Sequence, residues 1–278
     1  MSDSPPTPPT SRSRPDRSEP LISVQDVVVR YGEHIILDHL HLDIYPGETM
    51  VILGGSGSGK TTLLRQMEAL EKPTSGRVII KGVDVTARTE QELTDIRRIM
   101  GVSFQSAAMF NSMTLAENVA LPLREHTKLA ESTIQLITRM KLEQVGLSKA
   151  EDLYPSQLSG GMRKRASVAR AMAMDPEILF FDEPSAGLDP IIAAGIDELI
   201  LHLKDAFKMT IVIVTHELAS AFLIADRMCF LHLGKMIAVG TRDEIRNSDH
   251  PRIRQFLDRK PDHMMGDQKT FLERLTRK

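Results

Sequence analysis

The chain has 278 residues, of which 41% are apolar and 26% charged, enough for a buried core in one large domain or two small ones. A formal charge of −2 lacks the basic footprint of a nucleic-acid binder. The single cysteine, Cys229 in the apolar run MCFLHL, excludes an internal disulfide and is expected to be buried and reduced, as suits a cytosolic compartment. No apolar run approaches the ~20 residues of a membrane span and the N-terminus has no apolar signal core, so a membrane role is expected to come through a partner.

Residues 1–20 (MSDSPPTPPTSRSRPDRSEP) are rich in proline and serine and nearly free of apolar side chains, which predicts a disordered tail. Its arginines at 12, 14 and 17 read as solvated. From Leu21 the chain is dense in β-branched residues and alternates at Leu40, Leu42 and Ile44, as antiparallel strands do. Pro46-Gly47 turns it into a short buried strand, Met50 to Leu53, that runs into GGSGSGKTT. After that loop Leu63, Leu64, Met67 and Leu70 recur at helical spacing. Further buried strands are expected at 99–104 (IMGVSF), 178–181 (ILFF) and 210–214 (TIVIV). Helical stretches alternate with them, which predicts an α/β core with a largely parallel sheet. Residues 106–165 carry helical patterning (Ile134, Ile137 and Met140, then Leu142 and Val145) and predict a helical subdomain. A hairpin, Met228–Leu233 with Met236–Val239, closes the 21–250 domain, and a charged extension, helical in patches, follows over 251–278.

The chemistry begins at the glycine-rich loop. Gly54, Gly59, Lys60 and Thr61 fit G-x-x-x-x-G-K-[ST], with Gly55, Ser56, Gly57 and Ser58 between them. Such a loop turns backbone N–H groups around phosphates, and the following helix points its positive end at them. Lys60 supplies charge to the β- and γ-phosphates, the Thr61 hydroxyl can ligate magnesium, and Thr62 faces the α-phosphate. Asp182 and Glu183 end a fully apolar strand, so both reach the carboxyl edge of the sheet. Asp182 can complete a magnesium site with Thr61, leaving Glu183 to orient the attacking water. Gln105 ends the strand VSFQ within reach of the metal, and His216 follows TIVIVT within reach of the γ-phosphate. The other histidines, such as His39, His41 and His202, read as surface residues.

A second glycine-rich loop, LSGGM, places Ser159, Gly160 and Gly161 at the start of another helix, again an anion site. One chain cannot bring both loops to one triphosphate. Two copies arranged head to tail can, each offering this loop to the other's γ-phosphate.

These motifs, in this order over residues 21 to about 245, resemble the ATPase of ATP-binding cassette (ABC) transporters. The resemblance implies a P-loop NTPase fold of ABC type, with antiparallel β and α-helical subdomains, and ATP with Mg²⁺ as ligands. It assigns Tyr31 to adenine stacking, Gln105 to the Q-loop, SAGLD with Asp189 to the D-loop, and His216 to the switch histidine. Met162 departs from the commoner glutamine of the LSGGQ form; the phosphate-contacting Ser159 and Gly161 are present. Residues 104–129, the LSGGM form and PRIRQFLD (251–258) resemble the Mla-type ATPase, which energises phospholipid transport between the membranes of Gram-negative bacteria. That resemblance implies a homodimer on an integral-membrane permease at the cytoplasmic face of the inner membrane. A STAS-domain subunit and a periplasmic lipid-binding subunit are its implied companions. The alternative is an importer ATPase for amino acids or another small solute. An ABC ATPase acting on ribosomes or DNA would need tandem cassettes or long coiled coils, and a small-molecule kinase would leave LSGGM and SAGLD without a purpose.

Overall fold

The computed structural model describes residues 19–261; the expected N-terminal tail up to residue 18, with its three arginines, and the segment 262–278 lie outside the described residues. Two sheets share the chain. The first is antiparallel, built from β1 (Ile22–Tyr31), β2 (His34–Ile44), β4 (Ser75–Ile80) and β5 (Val83–Asp84) in the order β2-β1-β4-β5. Its alternation is the expected one: Leu40, Leu42 and Ile44 point inward while His41 and Asp43 face solvent.

The second sheet holds β3 (Thr49–Leu53), β6 (Met100–Ser103), β7 (Ile178–Asp182), β8 (Thr210–Thr215), β9 (Arg227–His232) and β10 (Lys235–Thr241) in the order β10-β9-β3-β8-β7-β6. All its pairs are parallel except the β9–β10 hairpin. Parallel strands covered on both faces read as unbroken apolar runs, and these do. Met50, Ile52, Phe180, Val212 and Val214 pack toward the antiparallel sheet with Leu63, Leu64 and Met67 of α1 (Lys60–Met67). Val51, Leu53, Leu179, Phe181, Ile211 and Ile213 pack on the opposite face with helical residues. Those come from α3 (Leu115–His126), α5 (Gly160–Ala171), α6 (Pro190–Phe207) and α7 (Leu218–Ile224).

Between β6 and β7 run α3, α4 (Glu131–Gln144), a single 3₁₀ turn at Pro155–Gln157 and α5, with no strand. Thr114 starts α3 with a reciprocal capping box to Glu117, and buried Asn118 ties the helix to the preceding loop through the Phe110, Met113 and Thr114 carbonyls. Two positions of the expected apolar periods are not buried: Leu70 lies beyond α1, and Met140 turns outward within α4, both about half exposed. Strands β4 and β5 and α2 (Glu90–Arg98) are additions that the sequence pattern did not separate. After β10 come α8 (Arg242–Arg246) and α9 (Pro251–Leu257); Ile253 is buried and the Phe256 ring meets Phe230 edge-on at 5.0 Å. Cys229 is buried as expected, and burial pushes its thiol up to about 12.

Glu68 closes α1 with its side chain buried, and its Oε1 makes no hydrogen bond among the described residues. Burial, reinforced by the nearby Asp182 charge, raises its carboxyl to about 7, with Arg65 opposing. An acid whose folded pKa is raised favours the native state while protonated, and that contribution is lost as pH rises from the unfolded value through about 7. Glu68→Gln should therefore be more stable than the parent above pH 7, by on the order of 3 kcal/mol at most, and the difference should vanish below the ordinary glutamate range. Chemical denaturation of both proteins across pH 4–8 measures it.

Candidate active site

Four adjacent parallel strands end side by side. Leu53 of β3 pairs with Thr215 of β8, Asp182 of β7 with Val214, and Ser103 of β6 with Phe181. The residues just after those ends, Gly54 onward, His216, Glu183 and Gln105, are thereby brought to one edge of the sheet. This is where open α/β sheets hold ligands.

The glycine loop needs its glycines. Gly59 has φ +100°, and a Cβ there would lie 2.7 Å from Leu37 Cδ2 and 3.0 Å from the Ile36 carbonyl. At Gly54 a Cβ would stand 2.3 Å from the Leu231 carbonyl on the β9–β10 hairpin. Gly57 also has positive φ, and Gly55 and Ser56 are partly or fully exposed at the loop's outer side. Ser58 is buried, and its carbonyl accepts from the Gly234 amide. Gly59 begins α1 without a side-chain cap, whereas α2, α3 and α8 each start with a capping box. The positive end of α1 is left open to an anion.

Buried Lys60 folds across this loop, its Nζ donating to the Gly54 and Gly55 carbonyls at 3.0 Å each. Burial lowers its pKa, opposed by Glu183 and then Asp182. Thr61 Oγ1 donates to Asp182 Oδ1 at 3.5 Å, joining the two expected magnesium ligands. Burial raises the Asp182 carboxyl, Glu183 adds to it, and Thr61, Lys164 and Lys60 oppose. Relief of that raised state is what a cation between Thr61 and Asp182 would supply.

Glu183 stands in the left-handed region at φ 48°, its amide donating to the Val214 carbonyl at 2.9 Å. Its carboxylate is held from two sides. Oε1 lies 2.9 Å from His216 Nδ1, and Oε2 accepts from Thr215 Oγ1 at 3.1 Å and from the His216 amide at 3.4 Å. The group is buried and fixed, which suits orienting a water. His216 is half exposed beside it.

Tyr31 ends β1 half exposed, its hydroxyl donating to Glu71 Oε2 at 2.7 Å. That hydrogen bond holds the phenol above its ordinary value, with Thr62 among the groups opposing. Gln105 is exposed just past β6, and its carbonyl accepts from Lys164 Nζ at 2.7 Å.

The second glycine loop lies elsewhere on the chain. Ser159 caps α5, its Oγ accepting from the Met162 amide at 3.2 Å. A Cβ at Gly161 would fall 2.5 Å from Ile192 Cγ2, and one at Gly160 3.2 Å from Leu188 Cδ2, so both glycines permit close packing on the start of α6. Asp189 is the N-cap of α6, its Oδ1 accepting from the Ile191 and Ile192 amides at 3.1 Å each. In this state its side chain is committed to the helix. Exposed Ile191 and Ile192 flank it, a wet apolar edge beside the second glycine loop.

Residues missed in the sequence are Lys164, Thr215 and Arg170. Lys164 bonds the carbonyls of both Gln105 and Glu183, and Arg170 bonds those of Ala107 and Ala108. The basic run MRKRASVAR gave no sign that some of its cations turn inward.

Residues 37–186 match the family model of ABC transporters. The chain is 41% identical over 237 residues to the intermembrane phospholipid transport system ATP-binding protein MlaF of Haemophilus influenzae, spanning 85% of this chain and 90% of that protein. It is 42% identical over 237 residues to the probable ribonucleotide transport ATP-binding protein mkl of Mycobacterium leprae, spanning 85% and 68%. Among solved structures it is similar to the dimeric post-hydrolysis state of the ATP-binding cassette MJ0796 bound to ADP and Pi. The TM-score is 0.73 at 31% identity, over 80% of this chain and 98% of that one. For cbiO1 from Clostridium perfringens the TM-score is 0.77 at 26% identity, over 87% and 96%. The chain belongs to the ABC transporter family, as its ATP-binding, ATP-hydrolysing component.

Lys60→Ala should weaken ATP binding about ten- to a hundredfold, the loss of charge-assisted contacts to phosphate. Equilibrium titration with a fluorescent ATP analogue reads this directly, and an unchanged affinity contradicts the role.

Proposed function

We propose that this chain is the ATPase subunit of a complex that moves phospholipid between the inner and outer membranes of a bacterium. The observation that carries the cargo is the 41% identity to MlaF across 90% of that protein's length. Two copies close head to tail on two ATP molecules, each loop at Ser159, Gly160 and Gly161 meeting the triphosphate held by the other copy's Gly54–Thr62 loop. MJ0796 forms a dimer with ADP and Pi.

Within each site Lys60 leaves the loop carbonyls for the β- and γ-phosphates, a shorter-range and more highly charged partner. Mg²⁺, held by Thr61 and Asp182 with Gln105 nearby, would neutralise phosphate oxygens when bound. Glu183, fixed by Thr215 and His216, orients the attacking water in line with the γ-phosphate. His216 donates toward the phosphoryl oxygens, Tyr31 carries the adenine, and Asp189 sets the start of α6 at the shared interface.

Among the described residues no helix is long and apolar enough to cross a membrane. Transport work therefore passes to an integral-membrane permease at the cytoplasmic face of the inner membrane. A cleft of about 650 Å³ lies beside the Gln105 loop, lined by Phe104, Phe110, Leu121, Pro122 and Met174, and fits a short helix of that permease. A STAS-domain subunit and a periplasmic lipid-binding subunit complete the complex. Ribonucleotide cargo is the second reading, favoured by the similarity to the probable ribonucleotide transport protein mkl.

Glu183→Gln should retain ATP affinity within about threefold and lose at least about a hundredfold in turnover, since binding and metal groups stay while the water-orienting carboxylate goes. Single-turnover hydrolysis checks it. Deleting the gene should sensitise the outer membrane to detergent with nutrient requirements unchanged; an intact barrier with a defect in nucleoside or other solute uptake would overturn the phospholipid reading.

A further inference from the structure

Helix α5 turns a polar stripe toward the Gln105 loop. Lys164, Ser167 and Arg170 recur at helical spacing of three, so they share one face. Ser167 Oγ lies 3.0 Å from Ser103 Oγ at the end of β6, both buried. Arg170 Nη1 donates to the Ala108 carbonyl at 2.7 Å and Nη2 to the Ala107 carbonyl at 2.9 Å. Lys164 Nζ donates to the Gln105 carbonyl at 2.7 Å and to the Glu183 carbonyl at 2.8 Å. Packing is close as well: a Cβ at Gly101 on β6 would stand 2.2 Å from the Ala171 carbonyl of α5.

Three of the carbonyls that cations of α5 capture are unusual ones. Ala107, Ala108 and Glu183 all have positive φ, at 62°, 45° and 48°, a conformation that costs a non-glycine residue free energy and persists only where its surroundings hold it. Each of the three gives its carbonyl to a cation of α5. Lys164 is buried, with its ammonium between two backbone oxygens and the charges of Asp182 and Glu183 close by. A buried ammonium has three protons to place, and here two go to the peptide oxygens of Gln105 and Glu183, the latter also accepting from the Ala186 amide at 3.2 Å within its own turn. An ordinary exposed lysine of a basic helix would make neither contact.

We propose that Lys164 is a positioning residue for hydrolysis: it holds the Glu183 peptide in its left-handed turn and ties it to the Gln105 peptide, so that movement of the Gln105 loop is felt at the Glu183 carboxylate. This rests on the reading of Glu183 as the group that orients water. The coupling is mechanical and short. One side chain spans two loops that come from different strand ends, and Arg170 and Ser167 fix the helix that carries it. A helix seated in the cleft beside Phe104 and Phe110 would press on the same loop, and Lys164 gives that pressure a route to the reacting water.

The test uses the purified full-length chain. Lys164→Met fills the same space without donors; turnover at saturating MgATP should fall at least about tenfold while ATP affinity stays within about threefold. Lys164→Arg, which keeps charge and donors, should recover turnover to within about threefold of the parent. Amide exchange should rise together in peptides covering 104–109 and 182–187 in the methionine variant, with the Gly54–Thr62 loop unchanged. If Lys164→Met does not fold, Lys164→Leu, also without donors, takes its place in every measurement. Parental turnover in the methionine or leucine variant overturns the proposal. So does an equal loss of affinity and turnover that arginine does not rescue, the mark of a merely structural residue. A Glu183→Gln chain that hydrolyses normally refutes the role of Glu183 itself; normal hydrolysis by Lys164→Met beside an inactive Glu183→Gln refutes Lys164 alone.

Discussion

Everything at this site depends on the level register of four parallel strands. β3, β8, β7 and β6 are neighbours in the sheet, and their pairing sets Leu53 against Thr215, Asp182 against Val214 and Ser103 against Phe181. A slip of one residue in any strand would turn its buried side chains to the opposite face and move its terminal group by about 3.3 Å. Apolar cover on both faces resists that slip. Ile52, Phe180 and Val212 fill one layer and Val51, Phe181 and Ile213 the other, all fully buried. Packing energy here is spent on the relative position of chemical groups that themselves contribute little to stability.

The second requirement is that opposite charges be gathered where burial has removed part of their hydration. Burial lowers the pKa values of Lys60 and Lys164 and raises that of Asp182, and in each case the neighbouring opposite charges oppose the effect of burial. Groups fixed in this way need little reorganisation when phosphate charge develops, which is where phosphoryl-transfer catalysis gains most. The same logic explains why so many contacts go to backbone carbonyls. Lys60, Lys164 and Arg170 all rest on peptide oxygens, partners strong enough to satisfy a cation and weak enough to yield to phosphate in the case of Lys60.

Local pattern made much of this legible, and its limits are physical. The strands MVIL, ILFF and TIVIV declared themselves because both faces are covered, and each motif sat at the end of one. β4 and β5 did not, since SGRVII buries only Val78 and Ile80, and its place is set by antiparallel pairing with distant β1. Leu70 continued a helical period past the end of α1 and Met140 fell on an exposed side of α4, because periodicity carries no information about what lies opposite. Asp189 was read as a ligand-side group from its motif, and the geometry adds a duty nearer home as the cap of α6. Lys164 was illegible for a different reason. Its partners are 59 and 19 residues away, and a lysine in a basic run looks the same whether its ammonium meets water or two carbonyls.

The two glycine loops, one after β3 and one before α5, make sense together only if two copies complete each other's sites. The most direct test is the dependence of hydrolysis rate on protein concentration for the isolated chain, followed alongside sedimentation under the same conditions. The account predicts a rate that rises with the square of concentration wherever the chain sediments as a monomer, becoming linear as the dimer fills. A rate strictly linear in concentration throughout the monomer range would show that one chain hydrolyses ATP alone, and would contradict the shared site.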